Sequence, residues 1–400
     1  MKRRDFLKNS MLASGAWMVP AFLKPFEGLA QDALPVGERN MVVIQLSGGN
    51  DGLNTIVPFG NDIYYRKRPS IAIPAQRVIR LNEMQGLNPA LAPLQTLYDN
   101  GLMSVINDVG YPNPNRSHFR SMDIWQTASD ADKTLSTGWL GRYLDASCAG
   151  SADEKPYLAV EVDDTLSLAM KGRKLSGLAV SDPAKLYQTT RDPFFAETAG
   201  HPQLGEDNQG YLYKTLIQTR SSAAYIQEKT KKTGVKTAVY PDTAFGRQLK
   251  TVSRFIRSGM NTRVYYVSLS GFDTHAGQNN QQGRQLKIYA EAVSAFVQDL
   301  KKNGMLDNTL ILTFSEFGRR VEQNASNGTD HGTANTILLF GGKLKKAGIY
   351  NDAPDLADLD AGDLRFCVDF RQVYATALDS WLGMKPEKIL SRPFETLGFI

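Results

Sequence analysis

Three of the four histidines in this 400-residue chain sit in short polar clusters: Asn115-Arg116-Ser117-His118, Asp273-Thr274-His275 and Asp330-His331-Gly332. Imidazoles beside carboxylates make the mixed nitrogen and oxygen ligand set of a divalent cation such as zinc or manganese. In Asp273-Thr274-His275 a single spacer lets both side chains leave the same side of an extended segment. Asp51, in Gly48-Gly49-Asn50-Asp51-Gly52, and Glu316, in Ser315-Glu316-Phe317-Gly318-Arg319, add carboxylates to the set. No thiolate joins it, which excludes an iron–sulfur or zinc-knuckle centre. Cys148 and Cys367 are far apart in sequence, and either one disulfide or two separate thiols fits them. His201, in Gly200-His201-Pro202, reads as a surface histidine.

Chemistry of this kind needs elements that bring distant residues to one place. Met41 to Leu46 is a β-branched run entering the glycine-rich segment of Asp51, which predicts a buried strand and a tight loop. Arg263 to Leu269 is a second such run, ending just before Asp273. Asn308 to Phe314 is a third, ending at Glu316, and Thr336 to Phe340 is a fourth, following His331. Between the second and third, Leu286, Tyr289, Ala290, Val293, Phe296, Val297 and Leu300 form one stripe at 3.6-residue spacing. Strand, helix and strand joined by short loops predict a mostly parallel sheet covered on both faces. The candidate ligands then fall at strand ends along one edge, where open α/β sheets bind ligands.

Each cluster also has a plain structural reading. The Asn-Asp-Gly segment suits a simple turn, an Asp-His pair suits a loop hydrogen bond, and a glutamate at a strand end suits solvent. Their coincidence at one edge favours a site.

The first eight residues, Met1-Lys2-Arg3-Arg4-Asp5-Phe6-Leu7-Lys8, read as a twin-arginine export signal. Met11 to Leu23 supplies its apolar region, and Gly28-Leu29-Ala30 the small-residue cleavage site, so residues 1–30 are expected to leave the mature chain. A basic amphipathic first helix is the alternative; Ser14, Gly15 and Pro20 disfavour it. Residues 1–30 also carry three of the five net positive charges. The remainder is nearly balanced, giving no reason to expect nucleic acid or anionic lipid as a partner. No later apolar run reaches the roughly 18 residues of a membrane span. The mature protein is therefore expected in the periplasm or outside the cell, its partners being the export machinery and an ester substrate. Residues 31–400 read as one α/β domain with a polar helical insertion at about 185–260.

Several stretches resemble the family of exported bacterial proteins known as domain of unknown function 1501. They are Gly48 to Thr55, Leu87 to Leu94, Val109 to Phe119, Phe272 to His275, Ser315 to Arg319, Asp330 to Asn335 and Asp369 to Thr376. More distantly, the motif order is similar to that of the alkaline phosphatase and sulfatase superfamily. That resemblance implies a three-layer αβα sandwich with two adjacent metal sites. It implies that Asp51 bridges the metals, that Asp273, His275 and His331 hold one ion, and that Glu316 stands in the second site. Asp330 or His118 replaces a missing second-site histidine. Ser117 falls at the position of the nucleophile. The spacing Asp273-x-His275 and the pair Glu316-Phe317 depart from that pattern, and without such a replacement the chain holds one metal or none.

The expected function is hydrolysis of a phosphate or sulfate ester with one or two divalent ions. Ser117 or a metal-activated water is the nucleophile, Arg116 or Arg319 holds the anion, and His118 contacts substrate or supports the ligands. The competing reading is a binding or scaffold protein that keeps a degenerate site. Convergence of Asp51, Asp273, His275, Glu316 and His331 to within about 5 Å of one point is what metal binding would require.

Overall fold

The computed structural model describes residues 39–148, 156–193, 208–231 and 238–400. The expected export signal and His201 lie outside them. Arg39–Ile400 forms one compact unit. Its centre is a nine-stranded sheet. In chain order the strands are β1 (Asn40–Ser47), β2 (Met103–Gly110), β3 (Ala159–Glu161), β4 (Leu178–Ala179), β5 (Val264–Ser270), β6 (Thr309–Ser315), β7 (Asn335–Phe340), β8 (Gly348–Ile349) and β9 (Val368–Asp369). The spatial order is β8-β2-β7-β6-β1-β5-β3-β4, with β9 also on β2. All pairs are parallel except those of β7, which runs antiparallel between β2 and β6.

Continuous apolar runs such as Met41 to Leu46 suit strands covered on both faces, and alternate residues divide between two cores. Met41 and Val43 share one with Ile124 and Trp125 of α2 (His118–Thr127), Leu140 and Tyr143 of α3 (Trp139–Ser147) and Phe370 and Tyr374 of α7 (Phe370–Thr376). Val42, Ile44 and Leu46 share the other with Leu94 and Leu97 of α1 (Ala92–Asp99), Leu249, Val252 and Phe255 of α5 (Ala244–Arg257), and the predicted stripe Leu286 to Leu300 on α6 (Gln278–Lys302). At about 1.5–3 kcal/mol for each large apolar side chain buried, both layers are held firmly to the sheet. The polar middle contributes α4 (Asn208–Lys231). By contrast α5, inside the expected insertion, is a covering helix of the sheet, capped by Thr243 at its start. No disulfide joins Cys148 to Cys367. Among the described residues no helix is long and apolar enough to cross a membrane.

The direction of β7 matters for the site. An antiparallel strand begins at the edge where its parallel neighbours end. Asp330 and His331, just before β7, thus reach the same edge as Asp273 after β5 and Glu316 after β6. At the end of β1, Gly48 and Gly49 take positive φ of 117° and 69°. A Cβ on Gly48 would lie 2.5 Å from the Asp273 nitrogen, and one on Gly49 would lie 2.2 Å from the Phe317 ring. Only glycine lets the β1 turn press so closely on the loops carrying Asp273 and Glu316.

Candidate metal centre

His118, Asp273 and His331 bring one ligand atom each to within 4.8 Å of one another. Asp273 is the hub. Its Oδ1 lies 3.3 Å from His331 Nε2 and 3.0 Å from His275 Nε2, and its Oδ2 lies 3.5 Å from His118 Nε2. The His275 and His331 Nε2 atoms are 3.0 Å apart. Ligands at about 2.0–2.1 Å around a tetrahedral ion would be spaced by roughly 3.3 Å, so these separations suit a shared cation.

The far nitrogen of each ring explains its orientation. His118 Nδ1 lies 2.8 Å from Glu316 Oε1, His331 Nδ1 lies 2.7 Å from the Arg116 carbonyl, and His275 Nδ1 lies 3.4 Å from Asp330 Oδ1. A carbonyl or carboxylate oxygen accepts, so the Nδ1 atoms of His118 and His331, each nearer an oxygen than its Nε2 is, carry the proton, and their Nε2 atoms present lone pairs to the Asp273 carboxylate. His275 lies between two carboxylates, and its geometry leaves either tautomer open. Among the described residues, buried His118 Nε2 has no hydrogen-bond partner. Lone pairs facing a carboxylate are what a cation resolves, and imidazoles backed by oxygen acceptors are the usual support of metal-binding histidines.

Electrostatics treat the two rings differently. Burial, helped by Arg319 and His118, holds the His331 imidazole below its ordinary range and favours its neutral form. The bond to Glu316 holds His118 above its ordinary range, against the effect of burial. Burial pushes the Asp273 carboxyl up, but Arg319, His331 and His275 more than offset it and keep it ionised. Arg319 pairs with Asp273 and Arg320 acts on Asp330, while Glu316 has no guanidinium partner among the described residues, so with neutral imidazoles the three carboxylates outnumber the two guanidinium groups.

Two of the residues expected as ligands stand behind the histidines. Glu316 is fully buried and accepts from Gly48 N and His118 Nδ1, while Asp330 faces His275. Asp51 does not join the cluster. Its carboxylate bonds Arg68 Nη1 and Gln278 Nε2, each at 2.5 Å, and accepts from the amides of Leu53 and Asn54, capping the short 3₁₀ turn Gly52–Asn54. With both partners of the Arg68 pair fully buried, a guanidinium already supplies the cation Asp51 needs. Among the described residues one candidate centre is thus assembled, and the Asp51 carboxylate is engaged by Arg68 and Gln278 instead.

Arg319 is also committed. It reaches the carbonyls of Gly48, Gly49, Thr329 and Phe272 and the Asp273 carboxylate, tying the edge loops together and leaving no fork for an anion. Arg116 pairs with Asp363, and its backbone carbonyl positions His331. Ser117 begins α2 in extended backbone, and its hydroxyl makes no bond to the helix it starts. Its neighbour His118 is the residue that turns into the cluster. The spacing of His118 and Met122, one helical turn apart on one face, was the available signal for this orientation; both line a cavity over the cluster. Arg68 and Gln278, the partners of Asp51, carried no sequence signal.

Fold and site together define an α/β protein with a His/Asp/His cluster, a candidate cation site, at the C-terminal edge of a mostly parallel sheet. The chain belongs to the family described as "Protein of unknown function (DUF1501)", which matches residues 96–395. No curated protein matches it. Among solved structures it is similar to the PsFucS1 sulfatase from Pseudoalteromonas sp., at 13% identity and TM-score 0.39, covering 93% of this chain and 72% of that one. It is likewise similar to the phosphonate monoester hydrolase SpPMH from Silicibacter pomeroyi, at 10% identity and TM-score 0.37, covering 86% and 73%. A protein in the alkaline phosphatase superfamily from Vibrio parahaemolyticus matches at 10% identity and TM-score 0.38, covering 89% and 70%.

Proposed function

We propose that this protein is an exported hydrolase of a phosphate or sulfate ester, dependent on one divalent ion held by His118, Asp273 and His331 with His275 beside them. The observation that carries the reading is the convergence of three imidazole Nε2 atoms on the Asp273 carboxylate. A bound divalent ion would supply a Lewis acid for an ester oxygen and lower the pKa of water. Glu316 and the Arg116 carbonyl hold His118 and His331 in the tautomer that offers Nε2, and Asp330 faces the far nitrogen of His275. Arg319 fixes Asp273 and the loop backbones, so the cluster is preorganised. Because the Ser117 hydroxyl has no contact with the cluster among the described residues, water is favoured over serine as the nucleophile. Export rests on the twin-arginine pattern of residues 1–30. Exchanging Arg3 and Arg4 for lysine should keep the chain in the cytoplasm, and undiminished export of that variant would remove this part.

The test of activity is turnover of aryl phosphates and aryl sulfates by the protein with zinc or manganese added. Hydrolysis that disappears in Asp273→Asn supports the reading. No turnover with any of these combinations favours a binding protein, a role that the lack of a second centre at Asp51 also suits.

A further inference from the structure

A cavity of about 380 Å³ opens directly over the cluster, lined by Gln45, Ser47, Gly48, His118, Phe119, Met122, Ser270, Gly271, Asp273 and Glu316. That volume lies within the range of small-molecule sites, roughly 300–1,000 Å³. Its floor is made by the strands themselves. Along one face of β1 the residues run Met41, Val43, Gln45, Ser47, and along the same face of β5 they run Val264, Tyr266, Ser268, Ser270. Both rows are apolar deep in the sheet and become polar toward the cluster. An interior face that only needed packing would have stayed apolar.

Gln45 is the informative residue. It is 7% exposed, and its Oε1 accepts from both the Tyr266 hydroxyl and Gln126 Nε2. In this orientation the amide oxygen faces both donors. The Nε2 end is left without a partner among the described residues, on the cavity lining. Met122 and Phe119 line the same cavity, the latter 88% exposed despite its size. A preoriented donor beside an apolar wall recognises one oxygen acceptor on an otherwise apolar or aromatic group.

We propose that Gln45 is a specificity-determining residue of this protein. Its Nε2 donates to an oxygen on the alcohol portion of the ester, whose apolar or aromatic face rests on Phe119 and Met122. The preferred substrates are thus compact esters with an oxygen-bearing aromatic or apolar alcohol, and not polymers threaded along the surface. This rests on the ester reading above, since the cluster would hold the anionic head of the same molecule.

The experiment uses the full metal-loaded chain and four non-hydrolysable probes: benzenephosphonate and its ortho-, meta- and para-acetyl derivatives. Calorimetry measures the affinity of each. At least one acetyl isomer is expected to bind the wild type about tenfold tighter than benzenephosphonate, the worth of one well-placed buried hydrogen bond. In Gln45→Met that ratio falls to about one, and in Phe119→Ala all four probes weaken together. Should Gln45→Met not fold, a crystal structure of the wild type with the preferred isomer decides. The acetyl oxygen is expected about 3 Å from Gln45 Nε2, and an oxygen pointing elsewhere overturns the proposal. It is also overturned if the ratio survives in Gln45→Met, or if benzenephosphonate binds and no isomer improves on it. Failure of all four probes to bind the loaded wild type removes the ester reading and this proposal together.

Discussion

Glu316→Gln is the substitution that most sharply separates support of a metal ligand from simple core packing. The variant keeps the volume and an oxygen to accept from Gly48 N and His118 Nδ1, so the loop geometry has no reason to change. What it loses is the negative charge 2.8 Å behind the His118 ring. Altering the partner behind a metal-binding histidine typically weakens metal binding about 10- to 100-fold, or roughly 1.4–2.7 kcal/mol. Competition titration of zinc against a chromogenic chelator measures this directly. The pH dependence supplies an internal check. The bond to Glu316 is the main reason His118 titrates above its ordinary range, so His118 should titrate lower in the variant. Above the raised wild-type pKa the full difference in zinc affinity is expected. As the pH falls through it, protons occupy Nε2 in the wild type before they do so in the variant, and the difference shrinks. Equal zinc affinity in the two proteins at pH 8 would refute the reasoning, leaving Glu316 a buried polar residue that serves the Gly48 turn.

Two further outcomes follow from buried carboxylates away from the cluster. Asp51→Asn leaves the fully buried Arg68 guanidinium without its counter-charge and is expected to cost about 3–5 kcal/mol in denaturant unfolding while leaving metal stoichiometry unchanged; loss of metal without loss of stability would return Asp51 to the centre. Burial raises the Glu161 carboxyl from 4.5 to about 7, against the bonds from Ser167. Its folded form therefore binds a proton that the unfolded chain releases, and stability falls as pH rises from about 4.5 to 7, by up to about 3 kcal/mol. Glu161→Gln should remove that loss, gaining on the wild type between pH 4 and pH 8, and a constant difference across this range would contradict it.

The edge that carries the site was legible because strand ends have strong local signals. Apolar runs stop at glycine-rich loops, and Asp273, Glu316 and His331 each lie next to such a stop. Side-chain direction was not legible in the same way. Gly-Gly-Asn-Asp-Gly reads identically whether Asp51 faces the cluster or Arg68, and the deciding partner lies in an irregular segment after Asp62–Lys67, with no periodicity to betray it. Ser117 and His118 are chain neighbours whose side chains leave in different directions, and which of them meets the cluster depended on how α2 rotates on the sheet. Trp125, buried with Phe314 and Phe370, sets that rotation. Once it is fixed, His118 and Met122 face the cluster. The two arginines were equally ambiguous in sequence, and only the crowding of four carbonyls around Arg319 assigns it to the scaffold of the loops.

The central claim is that the three histidines and Asp273 form one cation site. Elemental analysis of the protein purified without a histidine tag and equilibrated with zinc or manganese tests it most directly. One equivalent of divalent metal per chain is predicted for the wild type, falling to a small fraction in His118→Ala and His331→Ala, each checked for folding by thermal melting. A wild type that takes up no metal under these conditions, or folded variants that keep a full equivalent, would contradict it.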